Sequence, residues 1–298
     1  MSRGDAHTRR PSPFELYGLI ALMVFVWALN FIVGKYALRD FDPLSLACLR
    51  TTLAGVLILP LYLAKTRGRK RSWGRGDLPA LIMLGVFGVA LNQIFFVFGL
   101  NRTSVAHAAI VIGLTPIIVL SLAALRGLEK FTLRKVLGMA VAVAGVAALQ
   151  KNGGSGATFT GDMLILLAAV AFSVFTVFGK ESTSVHGSVT VNTFAYVGGS
   201  LLLAPLTYVS ARGFLFEQVT AAGWLSLLYM AVFPSVVAYL IYYWALAWIP
   251  ASRLSAFSYL QPLLATLMAI PLLGEQVTLS LMIGGALVLA GVWLTERG

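Results

Sequence analysis

A few polar side chains interrupt long apolar runs in this chain, each with aromatic rings close by. Trp27, Asn30 and Phe31 form one group, Asn92, Gln93 and Phe96 a second, and Tyr239 and Tyr242 a third; Thr115, Tyr259 and Gln261 stand beside two prolines, Pro116 and Pro262. Arg50 adds a cation. Amides and hydroxyls exchange hydrogen bonds, rings stack, and a guanidinium attracts carboxylates, so this set can recognise a small molecule. It lacks the reagents for making or breaking bonds. All eleven acidic residues fall in termini, loops or helix ends, which leaves no carboxylate pair for acid–base or metal chemistry inside an apolar run. Neither a His-Glu-x-x-His nor a Ser-His-Asp arrangement is present. The single cysteine, Cys48, excludes an intramolecular disulfide and a zinc cluster. No enzyme activity, metal or cofactor is expected.

The elements that must position these residues are membrane helices. Of 298 residues, 59% are hydrophobic and 11% charged, against roughly 25% charged in a soluble domain. A helix rising about 1.5 Å per residue needs about 20 apolar residues to cross about 30 Å of hydrocarbon. Ten such runs are present: 17–38, 44–63, 78–100, 103–125, 133–149, 162–179, 188–209, 223–247, 252–273 and 279–294. The expected fold is therefore an all-α polytopic membrane protein with ten transmembrane helices. The basic start followed by an apolar run resembles a signal peptide, but the run is too long and carries Trp27 and Asn30, so it reads as the first span.

The net charge of +11 would suit nucleic acid if it formed a patch, but the charges are sorted by side. With the N-terminus in the cytoplasm, sixteen of the 22 Lys and Arg residues face it, in the groups Arg3 to Arg10, Lys65 to Arg75 and Arg126 to Lys135 together with Lys180, Arg253 and Arg297. The opposite side holds Arg39, Arg102, Lys151 and Arg212. The positive-inside rule thus places both termini in the cytoplasm and makes the lipid bilayer, not nucleic acid, the surrounding partner.

The chain also repeats itself. At a shift of 146 residues, Gly113-Leu114-Thr115-Pro116-Ile117-Ile118 falls on Tyr259-Leu260-Gln261-Pro262-Leu263-Leu264, Glu129 on Glu275, Gly138 on Gly284 and Gly145 on Gly291. At 145, Gly34-Lys35 falls on Gly179-Lys180. Two five-span halves, 1–150 and 151–298, are expected. Because five is odd, the second half enters the membrane from the other side. Such an inverted repeat characterises secondary transporters, in which two opposed halves open a central site to either side.

Inside the spans several residues have two readings. Asn30, Asn92 and Gln93 face a cavity or bond neighbouring helices. Arg50, about two turns inside its span, costs about 2.5–3.5 kcal/mol unless compensated; broken-helix carbonyls or a substrate carboxylate would serve. Lys35, a turn from its helix end, can snorkel to the interface. Pro116 and Pro262 each withhold an N–H, loosening the carbonyls of Ile112 and Ser258, either as packing kinks or as cavity-lining breaks. His107 reads as an interfacial polar residue ahead of a proton carrier. Glycines 138, 145, 284 and 291 suit close helix packing, or a contact between copies, whose number the sequence leaves open.

The ordered set Trp27-x-x-Asn30-Phe31 with Lys35, Leu49-Arg50, Leu91-Asn92-Gln93-x-Phe95-Phe96, Gly99-Leu100, Thr103-Ser104, Ala106 to Ala109, Thr115-Pro116, Glu129, Gln261-Pro262 and Glu275 resembles the drug/metabolite transporter superfamily, in particular its EamA-type ten-helix exporters. The resemblance implies a central cavity lined by helices one to four and six to nine, with five and ten as support. It implies export of small metabolites across a bacterial inner membrane. The aromatic interior is most similar to that of aromatic amino acid exporters, which makes aromatic and other neutral amino acids the expected substrates; other metabolites, toxic cations and phosphorylated sugars are the alternatives, with a channel or membrane enzyme more remote. Without a carboxylate at the membrane centre, movement is expected to follow the solute gradient rather than protons.

Overall fold

The computed structural model describes residues 11–68, 72–103, 108, 111–149, 158–273 and 279–298; His107 and Glu275 lie outside them. Among these residues the chain is helical, with no strand. The helical segments are α1 (Pro13–Asp40), α2 (Pro43–Thr66), α3 (Arg75–Arg102), α4 (Thr115–Leu125), α5 (Leu133–Leu149), α6 (Phe159–His186), α7 (Ser188–Arg212), α8 (Ala221–Leu246), α9 (251–273) and α10 (Leu279–Glu296). Six of them, α1, α2, α3, α6, α7 and α8, are long and apolar enough to cross a membrane. Starts are marked by side chains that take up orphan N–H groups. Ser12 accepts from Glu15 N–H at 3.1 Å, Asp42 from Leu44 and Ser45 at 3.0 Å, and Thr158 and Thr220 from Gly161 and Gly223 at 3.1 Å. Gly187, at φ 81°, is the lone residue linking α6 to α7, a left-handed turn that a side chain would resist.

Four breaks interrupt the helices, and they depart from the sequence expectation in kind. Pro116 lies in the first turn of α4, after a turn at 113–114, so it starts a helix rather than kinking the middle of one. Proline is tolerated there because first-turn N–H groups have no helical partner. Pro262 is likewise the third residue of a helix, Leu260–Leu273, which follows helix Ala251–Ala256 and a 3-10 turn at Phe257–Tyr259. The other two breaks are π-helical, and of them only the one in α8 carries a proline, Pro234. α3 is π-helical over Gly85–Leu91 and α8 over Ala231–Val237, and these stretches coincide under the 146-residue shift.

The main packing pairs are α5 with α10, α2 with α7 and α3 with α6, with α1 set against α8 and α9. Between α5 and α10 the glycines allow backbones to meet. A Cβ on Gly145 would lie 2.6 Å from Val288 N and 2.8 Å from Gly284 O, and one on Gly291 would lie 2.5 Å from Ala142 N and 2.6 Å from Gly138 O. The glycines therefore serve packing within the chain. Lys35 does not merely reach for the interface: its ammonium donates to Thr103 O at 2.7 Å, and its counterpart Lys180 donates to Ile249 O at 2.7 Å. Thr103 and Ile249 are again 146 residues apart.

Polar ties close the ends of the bundle. Tyr17 donates to Glu296 at 2.6 Å, setting the start of α1 beside the end of α10. Glu129, between α4 and α5, is nearly buried and accepts from Lys135 Nζ at 2.8 Å, from Ser252 N–H at 3.1 Å and from the Ser252 hydroxyl. Burial alone would raise its pKa, but these hydrogen bonds and the Lys135 charge outweigh it and hold the carboxyl below its ordinary 4.5. Its contribution to stability is therefore complete above the unfolded value and is lost as pH falls through the lower folded one. In detergent, Tm should stay level from neutrality down to about pH 5 and then decline, and Glu129→Gln should cost about 1–3 kcal/mol at neutral pH; a variant as stable as the parent would contradict this. Gly145→Leu should cost about 1–3 kcal/mol or more by forcing α10 off α5, visible as a lower Tm and loss of a monodisperse size-exclusion peak.

Candidate functional site

The polar and aromatic groups converge on one cavity with about 710 Å³ of empty space, its mouth included. Trp27, Asn30, Phe31, Arg50, Asn92, Gln93, Phe96, Thr115, Tyr239, Tyr242 and Gln261 all line it. Tyr259 does not. Its ring is fully buried among Leu120, Met139, Val288 and Val292, against α4, α5 and α10; the lining residues Leu254, Ser255, Ser258 and Gln261 share one helical face, and Tyr259 falls off it. Ile112 and Ser258, whose carbonyls the prolines were expected to loosen, also line the cavity, while sequence reasoning missed Met23, Phe172, Leu254 and Ser255. Phe172 had a signal, since it is Trp27 shifted by 145 residues. The others are apolar or small residues with no mark in the sequence to set them apart.

α1, α2, α3, α6, α8, α9 and the start of α4 supply the wall, while α5, α7 and α10 supply none of it. The aromatic side is a single interlocked group. Trp27 meets Phe172 and Tyr239 edge to face at 5.7 Å each and Tyr242 tilted at 5.4 Å, and its Nε1 donates to Pro234 O at 3.2 Å. Phe31 and Phe96 form a second T-shaped pair at 5.6 Å. Such edges and faces are held without rotational slack and suit a planar guest.

Asn92 plays both roles open to it. It lines the cavity while Nδ2 donates to Ala168 O at 2.9 Å and Oδ1 accepts from Tyr239 at 3.3 Å. Asn30 is buried, and its Oδ1 has no partner within the protein. Asn92 and Gln93 follow directly on the π-helical turn of α3, and Tyr239 follows the one in α8. A π turn closes bonds to the fifth residue and so advances the face that comes after it; here it turns consecutive polar side chains inward.

Arg50 is 3% exposed. Its compensation is indirect. Pro234 cannot give an N–H to the Met230 carbonyl, and the Ser235 hydroxyl donates to that carbonyl at 2.8 Å. The same oxygen accepts from Arg50 Nε at 3.0 Å, leaving Nη1 without a partner within the protein. The broken helix thus reaches the cation through a hydroxyl rather than a bare carbonyl. No carboxylate lines the cavity.

These features have counterparts in known proteins. The model of the "EamA-like transporter family" matches residues 16–149 and 159–297. A protein of Archaeoglobus fulgidus named "Uncharacterized transporter" is 33% identical over 279 residues, covering 94% of this chain and 98% of its own. One of Streptantibioticus cattleyicolor, named "Probable terminal-alkyne amino-acid exporter", is 28% identical over 282 residues, covering 93% and 92%. A crystal structure at 19% identity superposes with a TM-score of 0.75 over 96% of this chain and 98% of its own, a likeness of fold. Helices that carry aromatic and amide groups to a shared cavity are what a membrane carrier requires, and the chain belongs to the EamA-like transporter family.

Proposed function

We propose that this transporter exports aromatic and other neutral amino acids across a bacterial inner (plasma) membrane by alternating access. The observation that carries the reading is the cavity itself: aromatic walls for an apolar side chain, with amides and one guanidinium for a polar head. The name of the Streptantibioticus relative supports an amino-acid substrate. A phosphorylated sugar would call for several cations, and Arg50 is the single Lys or Arg among the lining residues.

In this reading the helical segments are ten crossings with both termini cytoplasmic, arranged as inverted halves 1–150 and 151–298. Three pairs of observations support it. Lys35 and Lys180 bind carbonyls 146 residues apart. The π turns of α3 and α8 correspond residue for residue. Gly138 meets Gly291 while Gly145 meets Gly284, contacts that exchange under the same shift, as a two-fold axis between the halves would require.

Purified protein in liposomes should show saturable counterflow of labelled phenylalanine against internal phenylalanine, threonine or methionine, and none in empty liposomes. A non-saturating flux would make it a channel. Trp27→Ala should raise the half-saturation concentration about tenfold, the loss of about 1.4 kcal/mol of contact, with a smaller effect on threonine than on phenylalanine. Since no carboxylate lines the cavity, an imposed pH gradient should leave the flux within about twofold, below the tenfold per unit that an obligatory proton would bring.

A further inference from the structure

Arg50 is the most costly group in the membrane interior, and the protein leaves its charge unanswered. No ion pair among the described residues includes it. The titratable groups that act on it, Tyr196, Tyr229 and Tyr239, are phenols, neutral at physiological pH. Lys35 and its counterpart Lys180 are engaged elsewhere, on Thr103 O and Ile249 O. Arg50 Nη1, by contrast, lacks a partner within the protein and belongs to a side chain that lines the cavity. Asn30, on the same wall, offers an acceptor, Oδ1, that also lacks one.

A guanidinium held by one N–H and free at another is arranged to take an anion. What holds it is specific. The Ser235 oxygen stands between Met230 O and Arg50 Nε, within the π-helical stretch of α8 that contains Pro234. On the reading of the cavity as the substrate site, we propose that Arg50 binds a carboxylate that every good substrate must carry, and that Ser235 is the positioning residue that fixes the guanidinium for it. Asn30 then receives a donor from the same head group, an ammonium or a hydroxyl. The requirement is for the carboxylate, not for a particular side chain, so solutes of equal size and aromaticity separate by their acid group.

The test is counterflow with phenylalanine against phenylalaninamide, which keeps the ring and amine and replaces the carboxylate by a neutral amide. Wild-type protein should prefer the acid at least tenfold by the ratio of maximal rate to half-saturation. Arg50→Gln should bring that ratio to within about twofold of one. Ser235→Ala should lower it about tenfold through half-saturation rather than maximal rate, and Ser235→Thr, which keeps the hydroxyl, should restore it. Because the readout is a ratio between two solutes on the same protein, a general loss of folded carrier does not mimic it. Equal transport of acid and amide by the wild type overturns the carboxylate requirement while leaving a transporter. An unchanged ratio in Ser235→Ala overturns the positioning role. If neither solute shows counterflow, the substrate reading falls and this inference falls with it.

Discussion

In hydrocarbon a backbone N–H or C=O finds no partner outside its own chain, and this constraint governs where the molecule is regular and where it is not. Helices α1, α2, α6 and α7 run unbroken over 24 to 28 residues. Four interruptions occur, at 85–91, 113–114, 231–237 and 257–259, and each lies beside a residue of the cavity wall. Breaks are tolerated there because protein groups or cavity contents can take over the lost bonds. At Pro234 the takeover is visible atom by atom: a serine hydroxyl replaces the missing N–H, and its oxygen then holds a guanidinium. The irregularity that costs a backbone bond also positions the site.

Correspondence between the halves extends to the frame and stops at the lining. Both lysine caps, both π turns and the crossed glycine contacts recur at a shift of 145 or 146. The cavity residues that correspond are chemically different: Asn92 and Gln93 answer to Ala238 and Tyr239, Phe96 to Tyr242, Trp27 to Phe172. The first half thus supplies the cation and three of the four lining amides, and the second supplies both lining phenols and the fourth amide, Gln261. In the proposed reading, a shared frame with divergent walls lets one solute be gripped at a polar end and an aromatic end.

Much of this was legible in the chain because lipid makes burial of polar groups so unfavourable. An amide or a guanidinium inside an apolar run has few places to go, so Asn30, Arg50, Asn92 and Gln93 could be assigned to the interior from type alone. The repeat exposed the frame, since glycine, lysine and proline keep their register. Two things stayed hidden. π turns have no compositional mark in Gly85–Leu91 beyond two glycines, and they depend on packing that a sequence does not display. Tyr259 was assigned to the cavity for its type and its place beside Pro262, although the spacing of Leu254, Ser255, Ser258 and Gln261 puts it off their shared face. Apolar lining residues such as Met23 and Leu254 look like any other core residue. Glu129 read as a loop residue, and only the fold reveals that its carboxylate seats on the first turn of α9.

That seat links the end of the bundle to its centre. Glu129 accepts from Ser252, Ser252 O accepts from the Ser255 hydroxyl at 3.0 Å, and Ser255 lines the cavity. The link runs along the short helix Ala251–Ala256, which the 3-10 turn separates from the rest of α9. A short helical piece tied at one end to a buried ion pair and bounded at the other by a 3-10 turn is joined to the rest of α9 by fewer regular backbone bonds than a continuous helix would have. Meanwhile α5 and α10, in contact through glycine backbones, have no slack to slide, since their interface is set by main-chain atoms rather than by rotatable side chains. Motion compatible with this architecture is therefore confined to the segmented helices around the cavity, and the frame that carries the repeat is the part that must stay still.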